Sequence, residues 1–219
     1  MYRVTAFAAL VSGELVKIFH RKKYPFLLAA LGAVIIAGIG LALIPGNRFN
    51  INLVYYPFTV LKILMYCFIP LAVSLLAADL LTGEFVSGEI RRTLACPVSR
   101  RMVLFAKLAA VLLYAAIMYL GSFFLASILS ICFSGIASVS FAAVLQAYTL
   151  DFLFAIVMAS MAGVIGSLAK SRISCFIFCL AAHFGITALV SLTAGLIVMT
   201  VCTGCFIIAG GRIFSRREV

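Results

Sequence analysis

Runs of about twenty or more apolar residues, separated by short polar clusters, organise this chain. Each run has the length that crosses a bilayer as a helix. The runs are continuous rather than alternating, so they predict helices and not the strands of a barrel. The spacing predicts spans over 25–45, 57–78, 103–133 and 142–168. The last apolar stretch, 173–211, would be about 60 Å long as one helix, about twice the hydrocarbon thickness. It therefore folds back near Ser191 to Gly195, giving spans over 173–190 and 195–212. Ahead of the first span, residues 3–20 read as an amphipathic helix. Val4, Phe7, Ala8, Val11, Leu15 and Phe19 recur at helical spacing, with Arg3, Glu14 and Lys17 off that stripe. Such a helix lies flat in a membrane interface or stays solvated. The result is one all-α integral membrane domain over 1–219, with six transmembrane helices.

Small residues and breakers refine the picture. Ala29, Ala33 and Ala37 line one face of the first span, and Ala155, Ala159 and Gly163 one face of the fourth. Both stripes would let a neighbouring helix approach closely. Pro70 marks an expected kink in the second span. Pro45, Gly46 and Asn47 end the first, and Tyr55, Tyr56 and Phe58 suit an interfacial aromatic belt.

Composition supports the same reading. Apolar residues make up 66% of the chain and charged ones 11%, whereas soluble domains sit near 45–50% and 25%. The net charge of +11 does not point to nucleic acid, because the basic residues sit at the ends of apolar runs and form no stripe. With six spans, all basic residues but Arg48 and Lys62 fall on one side, which the positive-inside rule makes cytoplasmic together with both termini. Five spans would put Arg212, Arg216 and Arg217 outside. The anionic bilayer surface is the natural partner of these charges. No cleavable signal peptide is expected. Cys202-x-x-Cys205 has no polar surroundings, and the seven cysteines read as small core hydrophobes rather than metal ligands or disulfides.

The polar stretch from Asp79 to Arg101 carries the most information. It reads as a short helix over 84–95. Val86, Ile90 and Leu94 form an apolar edge and Glu84, Gly88, Arg91 and Arg92 a polar one; Pro97 stops it and Ser99 caps the next helix. Glu84 and Gly88, then Pro97, Ser99 and Arg100, then Lys107 in the third span, follow a pattern similar to that of the ABC-2 type permeases: E-x-x-x-G-T, a Pro-x-Ser-Arg group, and a Lys. Glu89 stands where that pattern has Thr. The N-terminal segment 1–23 resembles the family's elbow helix. The resemblance implies that 84–95 is a cytoplasmic coupling helix, with Glu84, Gly88, Glu89, Arg91, Arg92, Pro97, Ser99 and Arg100 engaging a separate ABC ATPase. It implies that ATP and magnesium are bound by that partner, and that two permeases, a homodimer by expectation, work with two ATPases in a bacterial plasma membrane. The chain has no G-x-x-x-x-G-K-[S/T] run of its own.

Three ionisable residues lie within the spans: Lys62, Asp151 and His183. A charge at such depth costs about 3 kcal/mol on insertion scales. Lys62 and Asp151 either approach each other in the outer half of the bundle or separately reach interfacial water. His183 is either a substrate or proton ligand or a hydrogen-bonded packing residue. Two histidines and six acidic residues without a cluster argue against a catalytic or metal centre. The expected function is export of a hydrophobic or amphipathic cargo, an antimicrobial or toxin peptide by analogy, with drug, lipid or ion as other cargoes. The alternative is a gradient-driven transporter or channel.

Overall fold

The computed structural model describes residues 2–44, 52–88, 99–135 and 140–192. Every regular element among them is helical: α1 (Tyr2–His20), α2 (Lys23–Ala42), α3 (Tyr56–Ser87), α4 (Arg100–Ser134), α5 (Phe141–Leu168) and α6 (Arg172–Leu192). Of these, α2, α3, α4 and α5 are long and apolar enough to cross a membrane. The chain is therefore a multi-pass membrane protein. The expected sixth span, 195–212, and most of the polar bridge, 89–98, lie outside the described residues.

The α3 helix departs from α geometry twice, in wide π turns over Leu64–Phe68 and Ala78–Thr82. The first has a sequence cause. Pro70 has no N–H and its ring crowds the carbonyl one turn back. The helix widens just ahead of it, so that the Ile69 N–H reaches back five residues to the Leu64 carbonyl. The second ends where the Gly83 N–H donates to the Ala78 carbonyl. The helix then runs on through Ser87 and stops at Gly88, whose φ of 72° is left-handed and suits glycine as a helix terminator. The sequence reading of a separate helix beginning at Glu84 is thus corrected: Glu84 belongs to the last turns of α3, because Glu84 to Ser87 continue its hydrogen bonding unbroken.

Helices α3 and α4 form the centre, with α1, α2, α5 and α6 packed around them. The α4 helix starts at Ser99, whose Oγ accepts from the Met102 N–H at 3.3 Å. The small-residue stripe of α5 is internal: Ala155 and Ala159 are buried, and Gly163 meets Leu108 so closely that an added Cβ would lie 2.9 Å from its Cδ2. The stripe of α2 is not. Ala29, Ala33 and Ala37 are exposed, and the packed face is Tyr24, Leu31, Ile35 and Ile39. Larger side chains bury more apolar area against α3 and α4, while Gly38 supplies the close approach, with the Tyr56 hydroxyl seated over it.

Candidate functional site: a charged hub at the end of α3

The second wide turn holds one residue more than an α turn. It directs both Asp79 and Glu84, five positions apart, toward the N-terminal helices. Asp79 Oδ2 accepts from the Tyr24 hydroxyl at 2.6 Å and pairs with Arg21 Nη1 at 3.3 Å and with Lys23 Nζ. Tyr24 is fully buried, and its carbonyl accepts from the Tyr114 hydroxyl of α4 at 2.8 Å. Leu81 rests on Gly166 of α5, where an added Cβ would lie 2.8 Å from Leu81 Cδ1. The Thr82 hydroxyl donates to the Gly166 carbonyl at 3.0 Å. Arg172, which opens α6, packs over Gly83 and donates to its carbonyl at 3.4 Å. Residues 79–84 therefore touch α1, α2, α4, α5 and α6.

At the tip of this hub, Glu14 and Lys17 of α1, Glu84 of α3 and Lys107 of α4 form a closed ring of alternating charge. Lys17 Nζ lies 3.0 Å from Glu14 Oε1 and 3.1 Å from Glu84 Oε1. Lys107 Nζ lies 3.2 Å from Glu14 Oε1 and 2.5 Å from Glu84 Oε2. Each carboxylate contacts both lysines and each lysine both carboxylates, so the ring is neutral. Glu14, Glu84 and Lys107 are buried, whereas the Lys17 side chain is 42% exposed. Burial pulls the Lys17 pKa down, but the charges and hydrogen bonds of Glu14 and Glu84 outweigh it and hold the ammonium above the usual lysine range. Buried charges of this kind are tolerated when paired and hydrogen-bonded; the ring pairs all four groups, while Glu14 Oε2 is buried without a hydrogen-bond partner among the described residues.

The structure separates the residues singled out by sequence. Glu84 is buried in the ring, not on a docking edge, because Lys107 and Lys17 draw it inward. Gly88 ends α3, Ser99 caps α4, and Arg100 is exposed at the start of α4. Glu89, Arg91, Arg92 and Pro97 lie outside the described residues. Lys62 and Asp151 form no ion pair. Lys62 is exposed on α3, while Asp151 Oδ2 accepts from the Tyr119 hydroxyl at 2.8 Å. A long lysine stem reaches outward from its helix, whereas the short aspartate is fixed by its neighbour on α4. His183 is fully buried between Phe154 and Phe184, with Nδ1 at 3.4 Å from Met158 Sδ. Cys175 and Cys179 are buried and unbridged.

Glu14 and Asp79 were not singled out by sequence. Glu14 lies three residues after Val11 and four before Ile18, both buried apolar residues of α1. That helical spacing is the available signal for its burial, although Leu15 and Phe19 suggested an apolar face on the neighbouring side.

The described residues thus form a helical multi-pass membrane protein with a charged hub that reaches every described helix. Its sequence matches the model of the ABC-2 family transporter proteins over residues 10–181. The chain belongs to that family, whose members are the membrane components of ABC transporters and not their ATPases. No curated protein matches the chain.

Proposed function

We propose that this chain is the membrane-spanning permease of an ATP-driven exporter in a bacterial plasma membrane, with both termini cytoplasmic. A separate ABC ATPase binds ATP and magnesium and docks on the polar bridge between α3 and α4. Two copies of the chain pair around the cargo path. The observation that carries this reading is the position of the hub: Glu84 sits one helical turn before Gly88, where α3 ends and the bridge begins, and Glu84 is tied to α1 and α4. A displacement of the bridge is thereby delivered to packed helices through short, charged contacts instead of being absorbed in a loose loop. α1 acts as the elbow helix and moves with the bridge through Glu14 and Lys17. The cargo is hydrophobic or amphipathic, and export of an antimicrobial or toxin peptide, or immunity to one, is the reading we favour by family analogy.

The test is co-expression with an ABC ATPase encoded beside it, followed by purification and export assays. The wild type is expected to co-purify the ATPase. Arg91→Glu with Arg92→Glu is expected to abolish export while membrane insertion is unchanged. Export at the wild-type rate in the double reversal would count against docking at this bridge.

A further inference from the structure

Between α4 and α5, about 330 Å³ of open space is lined by Tyr119, Phe123, Phe124, Tyr148 and Phe152, with Ala116 at one end. The rings stand edge to face. Tyr119 meets Phe152 at 5.7 Å and 90°, and Phe123 meets Tyr148 at 5.3 Å and 74°. The volume lies within the range of small-molecule sites.

The polar atoms of this cavity point to the sign of its occupant. Its lining hydroxyls have all donated their protons elsewhere. Tyr119 donates to Asp151 Oδ2 at 2.8 Å, Tyr148 to the Pro57 carbonyl at 3.2 Å, and Thr149 to the Leu145 carbonyl at 2.7 Å. The cavity therefore offers π faces and oxygen lone pairs but no side-chain donor, and an anion finds nothing to bind. Behind the Tyr119 wall lies Asp151, nine-tenths buried and without a counter-cation among the described residues. A carboxylate at this depth ordinarily marks a functional site with a partner. Aromatic walls backed by a carboxylate attract alkylated ammonium groups through the ring quadrupole.

A second cavity of about 530 Å³ shares Ala116 and Phe152 with the first and continues between α1 and α4, past Val11, Leu15 and Leu112. It has room for an apolar tail.

We propose that the α4–α5 cavity binds the cationic head of an amphipathic organic ammonium compound, with Asp151 as counter-charge and the aromatic rings as cage, while its tail follows the adjoining cavity toward α1. That this ligand is cargo rests on the permease reading; that the site binds it does not.

The experiment uses the full chain in zwitterionic nanodiscs, without any ATPase, so that a negative result strikes this site and leaves the permease reading to its own test. Binding of radiolabelled dodecyltrimethylammonium is measured above that of empty nanodiscs. The controls are its neutral carbon isostere, 2,2-dimethyltetradecane, and dodecyl sulfate. The expected result is saturable binding of the cation alone, weakened about tenfold by Asp151→Asn and several-fold by Phe123→Leu. The leucine variant keeps the core apolar and leaves Asp151 untouched, so it tests the cage if the asparagine variant fails to fold. Equal binding of the isostere, or cation binding unchanged in either folded variant, overturns the proposal.

Discussion

Lys107→Met keeps most of the side-chain volume and deletes the ammonium. In the native ring, Lys107 is fully buried and holds Glu14 and Glu84, whose side chains are 5% and 1% exposed. Without it, two buried carboxylates share Lys17, which is partly in solvent. Removing one member of a buried pair costs about 3–5 kcal/mol. At about 2–4 °C per kcal/mol for a chain of this length, the melting temperature should fall by about 6–20 °C. Glu84→Gln in the same chain restores neutrality, leaving Glu14 and Lys17 as one pair, and should recover about 1–3 kcal/mol. The assay is detergent thermostability by fluorescence-detected size exclusion on the two singles and the double. The reasoning is refuted if the double variant melts below Lys107→Met, because that would mean the ring does not act as one charge-balanced unit.

Other outcomes follow from geometry already described. Gly166→Ala forces a methyl to within 2.9 Å of Leu81 Cβ and should cost about 1–3 kcal/mol in the same assay. Gly32→Ala, where nothing lies within 4 Å, should be neutral or stabilising by up to about 1 kcal/mol. Gly88→Ala also meets open space, but at φ 72° it should cost about 1–2 kcal/mol, with Gly88→Asn milder. Because the Lys17 pKa is raised, its contribution is complete below the unfolded lysine value and is lost as pH climbs through the folded one. Thermostability should therefore hold from neutral pH to about 10.5 and drop beyond it, a drop that Lys17→Met should remove.

How much of this could be read from the sequence depended on what kind of signal each feature leaves. Apolar runs located α2, α4, α5 and α6 within about three residues at each end, because run length answers directly to bilayer thickness, but α3 continues to Ser87, nine residues past the expected end at 78. The face that each helix buries was less legible. A helix apolar all round packs protein on one side and lipid on the other, so Ala29, Ala33 and Ala37 gave no sign that Leu31, Ile35 and Ile39 would face inward. The pattern that drew attention to Glu84 and Lys107 was sound, but a polar helix edge looks the same whether it awaits a partner subunit or a lysine from the next span. Nor could periodicity foresee a wide turn over Ala78–Thr82, which re-aims the side chains that follow. Asp151 stood out as a charge in an apolar run, yet its partner was a tyrosine on the preceding helix rather than the distant Lys62.

The ring also sets an order of manufacture. Glu14 can find Lys17 as soon as the first helix leaves the ribosome, but Lys107 follows Glu14 by 93 positions. At cellular elongation rates that interval is about 5–20 seconds. Throughout it the N-terminal helix carries a carboxylate whose buried counterpart does not yet exist, and it must wait in water or at the lipid surface until the third long apolar segment has been made.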